Sequence, residues 1–287
     1  MKRRSEDAMI LITYLPFYRL HEVASYFVKN VELVRPRRAI VFIDNIFDEG
    51  QREVARRVLP KGVEYVFGNW GSRDDTWIAM LRWLRSSGVE GDALFVDSDN
   101  VLTGDFPEVH RLLLKAAEGN ELRAYGVMDL ECWEGGAAHF LRRSELSDVV
   151  GVFSYKVYDP RHFLKGGNPF FWGPKQAVYL GRLPDEKLVE GLASALSRVT
   201  PYLRNLLSDE SLLGVVAWLS GVERIPWTAA SRHLHHGSGR AGDELSVARA
   251  HAQFAEGLWR AFRKWEFLAY SLKYKAIVLR EAVKGLF

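Results

Sequence analysis

The segment ALFVDSDNVLTGDF, residues 93–106, decides the fold and carries the most informative motif of the chain. Its apolar start predicts a buried strand, and Asp97 and Asp99 stand at the end of that strand with one residue between them. In an extended backbone alternate side chains point the same way, so we expect these two carboxylates to converge on one point. Such a pair suits Mg²⁺ or Mn²⁺, although aspartates also end strands and begin turns without binding any ligand.

Short apolar runs alternate with amphipathic helical patterns along the first hundred residues. Strands are predicted over residues 9–15, 39–45, 63–68 and 92–99, and helices over residues 21–34, 48–59 and 72–87. This alternation indicates right-handed βαβ units and an α/β fold with a mostly parallel sheet flanked by helices. Ligands of such sheets bind beyond the carboxyl ends of the strands, where Asp44 and Arg73 are also placed.

The remaining chain is less regular. Residues 124–130, 151–159 and 222–227 predict strands, and residues 165–181 predict a glycine- and aromatic-rich loop followed by a short helix. Helices are predicted over residues 185–203 and 209–221, with Ser208 as the N-cap of the second. The histidine-rich stretch from His233 predicts a loop, and residues from 243 to the end predict basic, aromatic helices.

The composition is that of a globular protein with a substantial core, since 48% of the 287 residues are hydrophobic and 26% are charged. A formal net charge of +3 is too small to indicate a nucleic-acid partner. Cys132 is the only cysteine, which excludes an internal disulfide and a multi-cysteine zinc site. A single cysteine favours a reducing compartment, so we expect a cytoplasmic protein. The sequence also shows no signal-peptide pattern and no membrane-spanning stretch.

The motifs and their order resemble the GT-A fold of nucleotide-sugar-dependent glycosyltransferases. In that family a Rossmann-like nucleotide-binding half ends in a strand with an acidic D-x-D motif. The resemblance spans residues 9–238. It implies a tail over residues 1–8, a nucleotide-sugar-binding half over 9–105, an acceptor half over 106–238 and a C-terminal helical extension over 239–287.

The resemblance implies transfer of a sugar from a nucleoside-diphosphate sugar to an acceptor, with Mn²⁺ or Mg²⁺ as cofactor. Asp44 would contact the nucleoside, Arg73 the diphosphate, and Asp97 and Asp99 the cation. From the residues alone, Asp44 is equally a turn former and Arg73 equally a member of a surface ion pair.

Further site residues follow from the same resemblance. One histidine of the cluster His233, His235 and His236 would complete the metal site, and the order of motifs favours His235 or His236. Asp209 or Glu210 would be the catalytic base of an inverting enzyme, although acids at a helix start also serve as plain caps.

The acceptor would be a sugar, a lipid-linked group or a small molecule. Gly167, Phe171 and Trp172 would contact it, and Phe170 beside them could stack on a sugar ring or lipid as well. An aromatic-rich core loop is the alternative for this whole stretch. The C-terminal aromatic and basic helices fit peripheral contact with the inner membrane face, but they fit ordinary packing against the domain as well.

Three rival functions share parts of this pattern. A haloacid-dehalogenase-type phosphohydrolase would use Asp97 as nucleophile and Asp99 as acid/base, although its motif usually lies near the N-terminus. A nucleotidyltransferase would begin with a glycine-rich loop, which is missing after the first strand of this sequence. A non-catalytic nucleotide-binding protein is the third.

Overall fold

The computed structural model describes residues 9–108, 110–111, 124–127, 153–156, 170, 177–207, 209–220, 224–228, 231–233 and 243–284. The strands are β1 (Ile10–Pro16), β2 (Arg38–Asp44), β3 (Glu64–Phe67), β4 (Ala93–Asp97), β5 (Asn100–Leu102), β6 (Ala124–Val127), β7 (Phe153–Lys156), β8 (Ala177–Leu180), β9 (Arg224–Thr228) and β10 (Ser231–His233). The helices are α1 (Leu20–Val34), α2 (Glu49–Val58), α3 (Arg73–Ser86), α4 (Glu186–Ser197), α5 (Pro201–Arg204), α6 (Asp209–Leu219), α7 (Glu244–Phe262) and α8 (Trp265–Lys284). A 3₁₀ turn, Phe17–Arg19, follows β1.

Eight strands form one mixed, mostly parallel sheet in the order β3-β2-β1-β4-β8-β6-β9-β7. Strands β3, β2, β1 and β4 are parallel, and β8 is antiparallel to its neighbours β4 and β6. Beyond them, β9 is parallel to β6 and β7 is antiparallel to β9. Strands β5 and β10 form a separate antiparallel pair. The predicted βαβ half is therefore confirmed.

Alternating side chains of the parallel strands supply the core on both faces of the sheet. Ile10 and Ile12 of β1 face one hydrophobic cluster, while Leu11 and Leu15 face the other. Helices α1 and α2 cover the second face, and α3, α4, α6, α7 and α8 cover the first. Burial on both faces explains why these strands are continuously apolar rather than alternating.

Side-chain caps fix where the helices of the parallel half begin. Asp48 and Gln51 form a reciprocal capping box at the start of α2. Ser72 caps α3 by accepting a hydrogen bond from the backbone N–H of Asp75 at 3.1 Å. These caps place the first turn of α3, which carries Arg73, directly after the loop that leaves β3.

Three sequence-based assignments were wrong. Residues 177–180 were predicted as a short helix, but they form β8 between β4 and β6. Residues 185–203 were predicted as one helix, but the chain breaks between α4 and α5. Pro201 explains that break, because proline disfavours a helical conformation in the preceding residue. The stretch from His233 was predicted as a loop, whereas His233 is the last residue of β10.

Candidate active site

The carboxyl ends of β1, β2 and β4 bring the predicted acidic residues to one edge of the sheet. In the register of these strands Tyr14 of β1 pairs with Asp97 of β4, and Pro16 of β1 pairs with Asp44 of β2. The chain runs outward from β1 in both directions, so this is the topological switch point of the sheet. Two strand spacings separate the backbones of Asp44 and Asp97 by roughly 10 Å across the sheet, on either side of β1, and an offset of two residues along the strands adds to this separation.

Asp44 is buried and holds the loop that follows β3. Its Oδ1 accepts a hydrogen bond from the backbone N–H of Trp70 at 2.9 Å, and its Oδ2 lies 3.5 Å from the hydroxyl of Tyr14. Burial, and then the negative charge of Asp44, raise the pKa of Tyr14 above its ordinary range. Tyr14 therefore stays a neutral hydroxyl beside the side chain of Asp44, and together they form a polar wall at the end of β1 and β2.

Arg73 begins α3 close to this wall. Its positive charge lowers the pKa of Tyr14 and so opposes the effect of Asp44 on that hydroxyl. Asp75, one turn into the helix, pairs with Arg204 at 2.9 Å. The first turn of a helix also carries N–H groups and a positive dipole end, so Arg73 stands where a phosphate group is favoured.

Asp97 and Asp99 lie at the end of β4, and both are partly exposed. Asp97 is the last residue of the strand, whereas Ser98 and Asp99 form a turn that leads into β5. The expected extended backbone therefore ends at Asp97, so simple alternation does not govern the direction of the Asp99 side chain. The turn keeps both carboxylates at the same sheet edge as Asp44.

A buried amide fixes the backbone just after this turn. Asn30 of α1 donates to the carbonyl of Asn100 at 2.8 Å, and its Oδ1 accepts from the backbone N–H of Leu102 at 2.8 Å. Both groups belong to β5, whose antiparallel partner β10 places His233 opposite Asn100. The backbone of the histidine-containing strand thus reaches the residue that follows Asp99.

Arg19 supplies positive charge at the same edge. Its Nη2 lies 3.5 Å from Oδ2 of Asp99, and each of the two side chains is 17% exposed. The residue closes the 3₁₀ turn that follows β1, so its position derives from the central strand of the switch point. A guanidinium at this distance from a carboxylate gives an attractive but long ion pair.

Sequence reasoning missed Arg19, Asn30 and Tyr14. A signal existed for Asn30, because it interrupts the apolar positions of α1 at helical spacing from Val23 and Phe27. Tyr14 lies near the carboxyl end of the first strand and Arg19 lies just beyond it. Residues at this end of a strand in an open α/β sheet commonly face the ligand.

Several predicted site residues lie outside the described residues. They are Gly167, Phe171, Trp172, His235 and His236, with the cap residue Ser208. Helix α6 begins at Asp209 as predicted, but the side-chain positions of Asp209 and Glu210 are outside the described part as well. Among the side chains that are described, no group of three or more histidine, cysteine, aspartate or glutamate residues could hold a metal ion.

The predicted contact of Phe170 with the acceptor is wrong. This residue is completely buried, and its ring centroid lies 5.3 Å from that of Trp218 and 5.1 Å from that of Phe267. It packs between α6 and α8 as a core residue, so it does not stack on an acceptor.

Solved structures share this architecture. TarS 1–349 of S. aureus, crystallised with UDP-GlcNAc, is 10% identical, with 94% of this chain and 70% of TarS 1–349 covered and a TM-score of 0.50. Glucosyl-3-phosphoglycerate synthase from Mycobacterium tuberculosis, crystallised with Mn²⁺, UDP and glucosyl-3-phosphoglycerate, is 15% identical, with 88% and 80% covered and a TM-score of 0.44. The galactosyltransferase LgtC, crystallised with donor and acceptor sugar analogs, is 12% identical, with 72% and 70% covered and a TM-score of 0.41.

No protein-family model matches the sequence, and no curated protein matches it. The likeness to TarS concerns the fold: a mixed, mostly parallel sheet flanked by helices, followed by a helical C-terminal region. The predicted GT-A-like fold class is thereby confirmed.

Proposed function

We propose that the chain is a glycosyltransferase that moves a sugar from a nucleoside-diphosphate sugar to an acceptor hydroxyl. The observation that carries this proposal is the position of Asp97 at the end of β4, and of Asp99 in the turn that follows, beside β1 at the topological switch point. Open α/β sheets bind ligands at that point. The acidic pair is also where the GT-A resemblance requires it.

The donor would lie across the carboxyl ends of β2, β1 and β4. Asp44 and Tyr14 form the polar wall at one end of this path and would contact the nucleoside. Arg73, in the first turn of α3, would pair with the diphosphate, because a guanidinium matches phosphate oxygens and the helix dipole adds to the attraction. A path of roughly 10 Å or more between the two strand ends suits a nucleoside joined to a diphosphate.

The residues at the end of β4 fit a divalent cation. Asp97 and Asp99 provide oxygen donors of the kind that Mg²⁺ and Mn²⁺ accept, and His235 or His236 would complete the set. Bound there, Mn²⁺ or Mg²⁺ would supply charge neutralisation for the departing nucleoside diphosphate. The chain's own contribution is to hold the two carboxylates at the strand end and to bring β10 alongside β5.

The acceptor side of the reaction rests on residues beyond those whose side chains are described. Asp209 or Glu210 would deprotonate the acceptor hydroxyl if the reaction inverts the anomeric centre. Gly167, Phe171 and Trp172 would contact the acceptor, which is a sugar, a lipid-linked group or a small molecule. Nucleic acid is not a partner in this proposal.

Helix α8 favours peripheral contact with an anionic membrane. Its inner side is buried, while an outer apolar stripe stays exposed, formed by Trp265, Leu268, Leu272, Leu279 and Val283. The stripe runs along one side of the helix, so it offers a continuous apolar face to a membrane surface. Every helix of the described residues falls short of the length and apolar character needed to cross a bilayer. In this proposal the contact is peripheral, through the exposed stripe of α8 on the inner face of the membrane.

The test measures donor binding and turnover together. Thermal unfolding of the wild-type protein is measured with UDP-GlcNAc, UDP-glucose, UDP-galactose or GDP-mannose, each with and without Mn²⁺. In a separate assay, release of nucleoside diphosphate from the same nucleotide sugars is followed. At least one nucleotide sugar should raise the melting temperature only when Mn²⁺ is present. Hydrolysis of a phosphate ester is assayed in parallel, and turnover of that ester alone would favour the phosphohydrolase.

Substitutions tie the result to the acidic pair. Asp99→Ala should abolish the metal-dependent rise, because the cation loses a carboxylate ligand. Asp105→Ala is the matched control, since it removes an exposed carboxylate from the same segment. Nucleotide binding that ignores both Mn²⁺ and Asp99→Ala would contradict the proposal.

A further inference from the structure

Arg19 places a fixed positive charge against the acidic pair. Its Nη2 is 3.5 Å from Oδ2 of Asp99, and its Nε is 3.3 Å from Oε2 of Glu22 at the start of α1. The residue ends the 3₁₀ turn after β1, which lies between the strands that carry Asp44 and Asp97. The guanidinium therefore belongs to the middle of the site rather than to its rim.

The contacts of this guanidinium are incomplete. Nη2 is enclosed by protein and makes no hydrogen bond with the part of the chain that the structure describes, because 3.5 Å is too long for a strong one. Buried donors normally have a partner, and an exception calls for a physical reason such as a ligand. A phosphate oxygen is the ligand that arginine binds best, since several N–H donors meet it at once.

We propose that Arg19 is a built-in second cation of the donor site, which pairs with Asp99 before the donor arrives and binds the diphosphate once it is present. This inference rests on the function proposed above. Arg19 would be a donor-binding residue in addition to Arg73, one on each side of the diphosphate path. Neither the sequence motif nor the resemblance assigns it that position.

The charge of Arg19 should change the affinities for the metal ion and for the nucleotide sugar in opposite directions. Without the donor, the positive charge of Arg19 competes with a divalent cation for Asp99, so it weakens binding of the metal alone. With the donor, the same charge attracts the diphosphate, so it strengthens binding of the nucleotide sugar. A residue that merely supports the fold would shift both affinities in the same direction.

The experiment compares Arg19→Gln, Arg19→Lys and wild type. Binding of Mn²⁺ alone is measured from the electron paramagnetic resonance signal of free Mn²⁺. Binding of the nucleotide sugar that stabilises the wild type, or of UDP-GlcNAc if none does, is measured by calorimetry at saturating Mn²⁺. Arg57→Gln is the matched control, because it removes the same charge from an exposed position on α2. Circular dichroism and thermal unfolding verify that each variant is folded.

Arg19→Gln should bind Mn²⁺ alone about fivefold to tenfold more tightly and the nucleotide sugar at least about tenfold more weakly, within the range of couplings between neighbouring charged sites. Arg19→Lys should fall between Arg19→Gln and wild type, since it keeps the charge but loses the paired donors. Arg57→Gln should match the wild type in both measurements.

Each other outcome has a distinct meaning. Equal or same-direction shifts in Arg19→Gln, with normal binding by the wild type, overturn the role of Arg19 and leave the glycosyltransferase proposal standing. Failure of the wild type to bind Mn²⁺ and every nucleotide sugar overturns both. If Arg19→Gln does not fold, the comparison of Arg19→Lys with wild type decides, and unchanged nucleotide affinity in that variant contradicts the inference.

Discussion

Asn30 offers the most direct test of how the fold supports the acidic pair. Replacing it with leucine removes two buried hydrogen bonds of 2.8 Å to the backbone of β5. The carbonyl of Asn100 and the N–H of Leu102 would then lack these partners, at a cost of about 1–3 kcal/mol each. Burying the leucine offsets about 1–2 kcal/mol of this. We therefore expect Asn30→Leu to lower the free energy of unfolding by about 3 kcal/mol.

Urea unfolding followed by circular dichroism measures this loss. With a slope of about 3 kcal/mol per molar urea for a chain of this size, the midpoint should fall by about 1 M. Lys29→Leu is the control, because it puts the same side chain at the adjacent, exposed position of α1. Its effect should stay within about 0.5 kcal/mol. A midpoint for Asn30→Leu within 0.2 M of the control, taken as roughly the noise of such curves, would refute the reasoning.

Two further predictions concern other parts of the chain. Burial lowers the pKa of His110 to about 4, so the folded state resists protonation that the unfolded state accepts below about 6.5. The free energy of unfolding should therefore fall by about 2–3 kcal/mol from pH 6.5 to pH 4. His110→Phe should remove most of this pH dependence, as measured by urea midpoints at each pH. The same pH dependence in the variant and the wild type would contradict the prediction. Trp265→Ser combined with Leu272→Ser should abolish cosedimentation with vesicles rich in phosphatidylserine, whereas the exposed-aromatic control Tyr202→Ser should not. Wild-type protein that stays in the supernatant would exclude the membrane contact.

The parallel half of the sheet was predictable because its signals are local. Strands β1, β2 and β4 are continuous apolar runs, and a buried strand of a parallel sheet must look like this. The helices between them carry one apolar face and recognisable caps such as Asp48 and Ser72. The right-handed crossover then fixes which strand ends share an edge, so Asp44 and Asp97 could be placed together from the sequence.

Strand β8 was not predictable for the opposite reason. Residues 177–180 are four apolar residues, a length at which a buried strand and a buried helix turn give the same pattern. They form a strand because they pair with β6, whose paired residues lie at least fifty positions away in the sequence, and with β4, whose paired residues lie more than eighty positions away. Phe170 was misjudged for a related reason, since its burial depends on side chains from α6 and α8.

The C-terminal helices show how an amphipathic pattern can be read correctly and still leave its partner open. The inner residues Phe267, Tyr270 and Tyr274 of α8 pack against α7 and share the core of the sheet. The outer residues Trp265 and Leu272 remain exposed. Because α8 is apolar on two opposite sides, packing against the domain and contact with a further surface are compatible rather than competing interpretations.

The acidic residues of the site could be predicted, because they stand at strand ends. The guanidinium of Arg19 and the amide of Asn30 could not, because the elements that carry them reach the site only through the arrangement of the sheet. Arg19 reaches Asp99 only because β1 and β4 are neighbours, although eighty residues separate these two in the sequence. Asn30 reaches β5 only because α1 packs over that face. Both residues are polar groups that the fold encloses beside a charged turn. A polar residue inside an apolar helix face, or a charged one directly after a central strand, therefore points to the support of a site before any ligand is known.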